Sequence, residues 1–156
     1  MISVKIDGID DLVKKYGNGI KPAIKKGVAA LAVEAESRIK PYAPATAGNS
    51  PKAYQPGRWN TWYQRGWGTK WVTAKGKIKG KRTSETLGRK WQHEPKGELG
   101  AVIKNTARYA GYVHGEDQTR VHKSHGWKSS KVIVEQIVKD GTVDKLISKY
   151  IAEVIK

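Results

Sequence analysis

A chain of 156 residues is long enough for one domain with a real core, but only 38% of its residues are hydrophobic, so the core is modest and some chain must lie exposed. It contains no cysteine, which excludes a disulfide framework and a thiolate metal site. The formal net charge is +16, from 30 Lys and Arg against 14 Asp and Glu, and that balance points to a polyanion or an acidic protein surface as partner.

The amino terminus, MISVKIDGIDD, has no basic start followed by an apolar run and is not expected to act as a secretion signal. No segment approaches the roughly 18 apolar residues of a membrane helix. A chain without membrane contact, assembled in a reducing cytoplasm, is the expectation.

Ile2 to Ile6 alternates apolar and polar residues and predicts a short half-buried strand, ended by Asp7-Gly8. Asp7 or Asp10 can cap a short helix carrying Leu12, Val13 and Tyr16, and Gly17-Asn18-Gly19 breaks the chain after it. The strongest helix signal follows. Pro22 suits a first turn, and Ile24, Val28, Leu31, Ala35, Ile39 and Tyr42 recur at spacings of four and three, which is one helix face. Glu34 and Arg38 stand four apart in the favourable order, and Pro41 and Pro44 stop the helix.

Residues 43–58 are rich in Pro, Gly, Ala, Ser and Thr and predict an exposed loop. Residues 59–72 hold four of the six tryptophans, at 59, 62, 67 and 71, and predict a strand or ribbon bent at Gly66 and Gly68. Residues 73–83 are a basic turn, its lysines at 75, 77, 79 and 81, and a hairpin tip is the natural reading. From Ser37 to Ser84 there is no acidic residue at all, whereas a neutral solvated surface would mix signs.

Leu87 to His93 predicts a strand, Lys96-Gly97-Glu98 a turn, and Leu99 to Asn105 its hairpin partner. Tyr109 and Tyr112 then flank Ala110-Gly111, and a polar loop over 114–127 carries His114, His122 and His125 before Gly126-Trp127. Ser129 or Ser130 can cap a helix with Val132, Ile133, Ile137 and Val138. Asp140-Gly141 interrupts it, and Thr142 can cap a last helix with Val143, Leu146, Ile147, Tyr150, Ile151 and Val154 on one face. No internal repeat or second core is visible. The expected fold is α+β: one domain over 1–156 with a small antiparallel sheet, the long helix and the C-terminal helices on one face, and an exposed basic, Trp-rich arm at about 43–83.

Three chemistries compete. His122 and His125 are three apart, but DQTRVHKSHGW has no helical stripe and no carboxylate spacing completes a metal site, so these read as surface loop histidines. A nuclease would use histidine as general base beside the basic run. Against it, no Asp/Glu set is clustered for magnesium, and no phosphate-cradling GxxxxGK[ST] or GxGxxG stands in the right context. The tryptophans interleaved with Arg58, Arg65 and Lys70 resemble a single-strand stacking platform, but core and interface anchoring is the better account of the tryptophans, while the clustered lysines call for an anionic neighbour.

The order of motifs resembles the tail-completion, or head-to-tail joining, proteins of long-tailed bacteriophages. The matching pieces are the strand-helix opening IDGIDDLVKKY, the long helix running into Ala43-Pro44, and Leu87-Gly88-Arg89-Lys90-Trp91, while Thr46-Ala47-Gly48 stands where the family usually has Thr-Gly-x-Leu. They continue with Asn105, Tyr109, Ala110, Tyr112 and Val113, and with His122 or His125 ahead of Gly126-Trp127. His114-Gly115-Glu116-Asp117 stands where the family commonly has Glu-Phe-Gly-Thr.

The resemblance covers most of the chain except 50–83. It implies a non-enzymatic virion protein, without cofactor or metal, that builds a homo-oligomeric ring, typically sixfold, at the neck between capsid connector and tail. Such a ring would contact a connector or stopper, a tail terminator or the tail tube. A basic nucleic-acid-binding protein, or a tail terminator of the same neck, is the alternative. The expected protein-interface residues are Trp59, Trp62, Trp67, Tyr109, Tyr112, His122, His125 and Trp127. Arg65, Lys70, Lys75, Lys77, Lys79, Lys81 and Arg82 are expected to meet an acidic neighbour or DNA in the lumen.

Overall fold

The structure is a computed structural model that describes residues 2–4, 9–41, 49, 61–64, 68–82 and 86–155. Tyr42, the caps at Asp7 and Asp10, the loop at 43–58 apart from Asn49, and the site candidates Trp59, Arg65 and Trp67 lie outside the described residues or side chains. The fold is α+β, with seven α-helices and two antiparallel sheets among the described residues. The chain divides into two compact units, 1–39 with 91–105 and 130–156, and 40–90 with 106–129. The second is thus made of two excursions from the first.

In the first unit, β1 (Ile2–Val4), β5 (Trp91–Lys96) and β6 (Gly100–Asn105) form a sheet in the order β1-β6-β5. Gly97, at φ +66°, makes the tight turn between β5 and β6, and Trp91 pairs with Asn105 at the far end of that ladder. Central strand β6 buries Ala101, Val102 and Ile103 in succession, so an alternating pattern is absent there. Helix α1 (Ile9–Tyr16) is followed by a 3-10 turn at Asn18–Ile20. Long helix α2 (Lys21–Ile39) packs on β5 and β6 and also on α6 (Ser130–Lys139) and α7 (Thr142–Ala152).

That double contact explains a difference from the sequence reading. The expected stripe of Ile24, Val28, Leu31, Ala35 and Ile39 is buried, but so are Ala23, Gly27, Ala32 and Glu36 beside it. Small residues let a second helix approach. A Cβ added at Gly27 would stand 2.7 Å from Ile147 Cδ1 and 3.4 Å from the Ile147 Cα. Gly27→Leu is therefore expected to lower the unfolding free energy by about 2–3 kcal/mol in urea titrations, although leucine is the better helix former. Gly27→Ala should cost much less, because only the flexible tip of Ile147 must move.

Polar groups in this unit are placed in pairs. Glu36, buried on α2, lies 2.6 Å from His93 Nδ1 on β5. Arg38 joins the end of α2 to the α6–α7 elbow: its Nε donates to Glu34 at 2.6 Å, its Nη2 to Thr142 Oγ1 at 3.0 Å, and its Nη1 to Asp140. The Thr142 hydroxyl and the Arg38 guanidinium hold the Asp140 carboxyl down at about 2. The elbow also corrects the expected cap. Gly141, in the left-handed region at φ +73°, occupies the position before the helix, Thr142 is its first residue, and Asp140 accepts the Thr142 N–H at 3.1 Å.

In the second unit, β2 (Thr61–Gln64), β3 (Gly68–Val72) and β4 (Ile78–Lys81) form an antiparallel sheet in chain order. The ribbon expected over 59–72 is the β2–β3 pair, with Gln64 opposite Gly68. The lysine turn is a hairpin tip between β3 and β4. Thr73 N–H donates to the Lys77 carbonyl at 2.8 Å, Gly76 N–H to the Thr73 carbonyl at 2.9 Å, and Gly76 takes φ +73°. A three-residue loop closing on a left-handed glycine matches the twist of its strands. Asn49, buried in the region read as loop, exchanges two hydrogen bonds with the Tyr63 backbone, at 2.7 and 2.9 Å, and so extends the ladder on β2 by a side chain.

Two further expectations are corrected here. The strand expected from Leu87 begins only at Trp91; residues 86–89 form a helical turn, α3 (Thr86–Arg89), because Leu87 is drawn into a hydrophobic cluster with Val113 and Trp127. That cluster is a second core which the sequence reading lacks. The loop expected at 114–127 follows a short helix, α4 (Ala110–His114), and contains another, α5 (Arg120–Ser124). Thr119 caps α5 by accepting the His122 N–H. Among the described residues no helix is long and apolar enough to cross a membrane.

Candidate interface site

The candidates split into a floor, a rim and an outlying basic strip, all on the second unit. Trp62, His125 and Trp127, expected as exposed anchors, are buried within this chain, with Trp127 only 9% exposed. This is a correction: their area is already spent on the chain's own core. Tyr109 and Tyr112 remain outside, 40% and 58% exposed. His122 is half-buried. Lys75, Lys77, Lys79, Lys81 and Arg82 are exposed. Lys70 is half-buried and lays its stem over Gly80, its cross-strand partner.

Trp127 centres the floor. Tyr63, His114 and His122 each meet it edge to face, at centroid distances of 5.5, 5.4 and 6.3 Å. Gln118 fastens it from behind, its Nε2 donating to the Val113 carbonyl at 2.7 Å and to the Trp127 carbonyl at 2.8 Å.

The three histidines read from sequence as surface groups are instead structural. His114, 3% exposed, holds the Lys128 carbonyl through Nδ1 at 2.7 Å. His125 Nε2 donates to the Thr61 carbonyl of β2. His122 Nδ1 lies 2.6 Å from Thr119 Oγ1. Among the described residues, no group of three or more His, Asp or Glu is placed to hold a metal ion.

Burial pushes all three imidazoles below the ordinary histidine range, opposed in part by the carbonyls of Lys128, Tyr112 and Val121. As pH falls through about 6.5 the unfolded chain takes up protons that the folded unit still refuses, so stability present above that pH is lost below it. The melting temperature followed by tryptophan fluorescence is expected to drop between about pH 7 and pH 5, and His114→Gln is expected to flatten that dependence.

The elements enclose a pocket of about 450 Å³. Its walls are Trp62, Tyr63, Leu87, Val113 and Trp127, with His122 and His125, while Thr61 and Thr69 add hydroxyls. Tyr109, Val121, Lys81 and Arg82 stand at its solvent side. The pocket was not legible in the sequence beyond its charged edge, since its walls come from five separate stretches. No protein-family model, curated protein or solved structure matches this chain.

Proposed function

We propose that this chain is a structural protein of a tailed phage particle, forming a homo-oligomeric ring, six copies by the family resemblance, at the neck between capsid connector and tail. The carrying observation is a division of labour on one compact unit. Exposed tyrosines and a strand whose lysines all face solvent stand above an aromatic core, and the histidine nitrogens named above are committed to internal oxygens. Such a unit is fitted for contact rather than for proton transfer.

A ring needs one surface of each copy to fit a different surface of the next. Tyr109 and Tyr112, amphipathic and exposed, are the protein-facing anchors in this reading. The hairpin with Lys75, Lys77, Lys79 and Lys81 faces an acidic neighbouring ring or DNA in the lumen, in a virion neck assembled in the host cytoplasm. The test is electron microscopy of particles made without the chain. Full heads and separate, finished tails are the expected products; joined particles in normal number would remove the reading.

The exposed lysines favour one other reading, a nucleic-acid-binding module. It requires the isolated chain to bind DNA with affinity falling steeply as salt rises.

A further inference from the structure

We infer that the pocket of the second unit is a receptor for one large apolar side chain, phenylalanine or leucine, carried on an acidic segment of a partner protein. The inference builds on the reading of this face as a protein contact, but not on the ring.

The volume of about 450 Å³ falls in the range of specific pockets, about 300–1,000 Å³, and at the lower end of it. The walls are aromatic rings and branched aliphatic chains, so the group that enters must be apolar. Both lining imidazoles already have a nitrogen engaged. His125 Nε2 is bound to the Thr61 carbonyl and His122 Nδ1 to Thr119. A nucleotide base, whose edge needs donors and acceptors, would leave its own polar atoms unpaired there, at a cost of about 1–3 kcal/mol per group. An alkyl or phenyl group loses nothing.

Charge selects what surrounds that side chain. Lys81 ends β4 and Arg82 follows it, both exposed and both lining the pocket, and among the described residues no carboxylate lines it. Lys79 and Lys81 stand opposite Trp71 and Thr69 in the ladder and so share their face. Carboxylates on either side of the anchoring residue would meet this cationic edge while the anchor displaces water from the floor. Val121, 54% exposed on α5, and Tyr109 complete an apolar lip that is otherwise costly to leave in water.

The test uses the full chain and a fluorescein-labelled peptide, EDEFLDE, read by fluorescence anisotropy. Saturable binding is expected, weakened at least about tenfold when the central Phe-Leu is replaced by Ala-Ala. Val121→Trp, which fills the mouth from an exposed position, is expected to weaken it equally. So is Lys81→Glu with Arg82→Glu, in strands that remain folded. An oligothymidylate of similar charge should compete poorly. Binding indifferent to Phe-Leu, or to both protein variants, overturns the inference, as does efficient displacement of the peptide by the oligothymidylate. Peptide binding by a chain that never assembles into rings would leave this inference standing and remove only the neck assignment.

Discussion

Trp127→Ala is expected to cost about 3–5 kcal/mol, and to open the second unit selectively. The indole is the contact shared by Tyr63, His114 and His122, and among the described residues it forms a buried cluster with Leu87 and Val113. Truncation removes a large apolar area and leaves a cavity between a sheet and two short helices that cannot collapse far. The first unit has its own cluster around Ile24, Leu31, Ile103 and Ile133. Hydrogen exchange should therefore show lost protection at residues 61–64, 68–72 and 110–124, with α2 and β6 still protected. Trp127→Phe, which keeps an aromatic floor, should recover most of the loss. Uniform loss across both units would show that the two cores do not melt separately.

Replacing Lys75, Lys77, Lys79 and Lys81 together with Glu is expected to abolish head–tail joining while leaving the fold intact. Each exchange removes one positive charge and adds one negative, so four take the net charge from +16 to +8. The positions are exposed, on a tip and an edge strand, where substitutions seldom change stability by more than about 0.5 kcal/mol. Against an acidic partner or DNA, by contrast, attraction becomes repulsion at four neighbouring points. Circular dichroism and a thermal melt should match the parent chain, while joined particles disappear. Normal particle yield would free the hairpin from any assembly role, leaving its lysines as guards against edge-to-edge pairing of β4.

The sequence makes some of this legible and conceals the rest for physical reasons. The face of α2 formed by Ile24, Val28, Leu31 and Ile39 is visible because large aliphatic groups recur at helical spacing. Its companion face, Ala23, Gly27 and Ala32, is not, because small residues carry little hydropathy and act only through the close approach of α7. The hairpin at 73–77 is announced by Gly76 within a basic run. The buried histidines are hidden, since what makes burial tolerable is an oxygen distant in sequence, the Thr61 carbonyl for His125 and the Lys128 carbonyl for His114. Helix α5 is too short for any period to emerge. Thr119, three residues ahead of His122, was the one local sign of its start. At the candidate site, the cationic edge could be read from composition, while the floor required Trp62, Leu87, Val113 and Trp127 to be brought together in space.

An electron cryomicroscopy reconstruction of the head–tail junction, at a resolution that traces side chains, tests the central claim directly. A closed ring of this chain between connector and tail is expected, with Tyr109 and Tyr112 covered by protein and the 73–82 hairpin against an acidic surface or the DNA. A junction built without this chain, or a chain in the particle with both tyrosines and the hairpin bare in solvent, would contradict it.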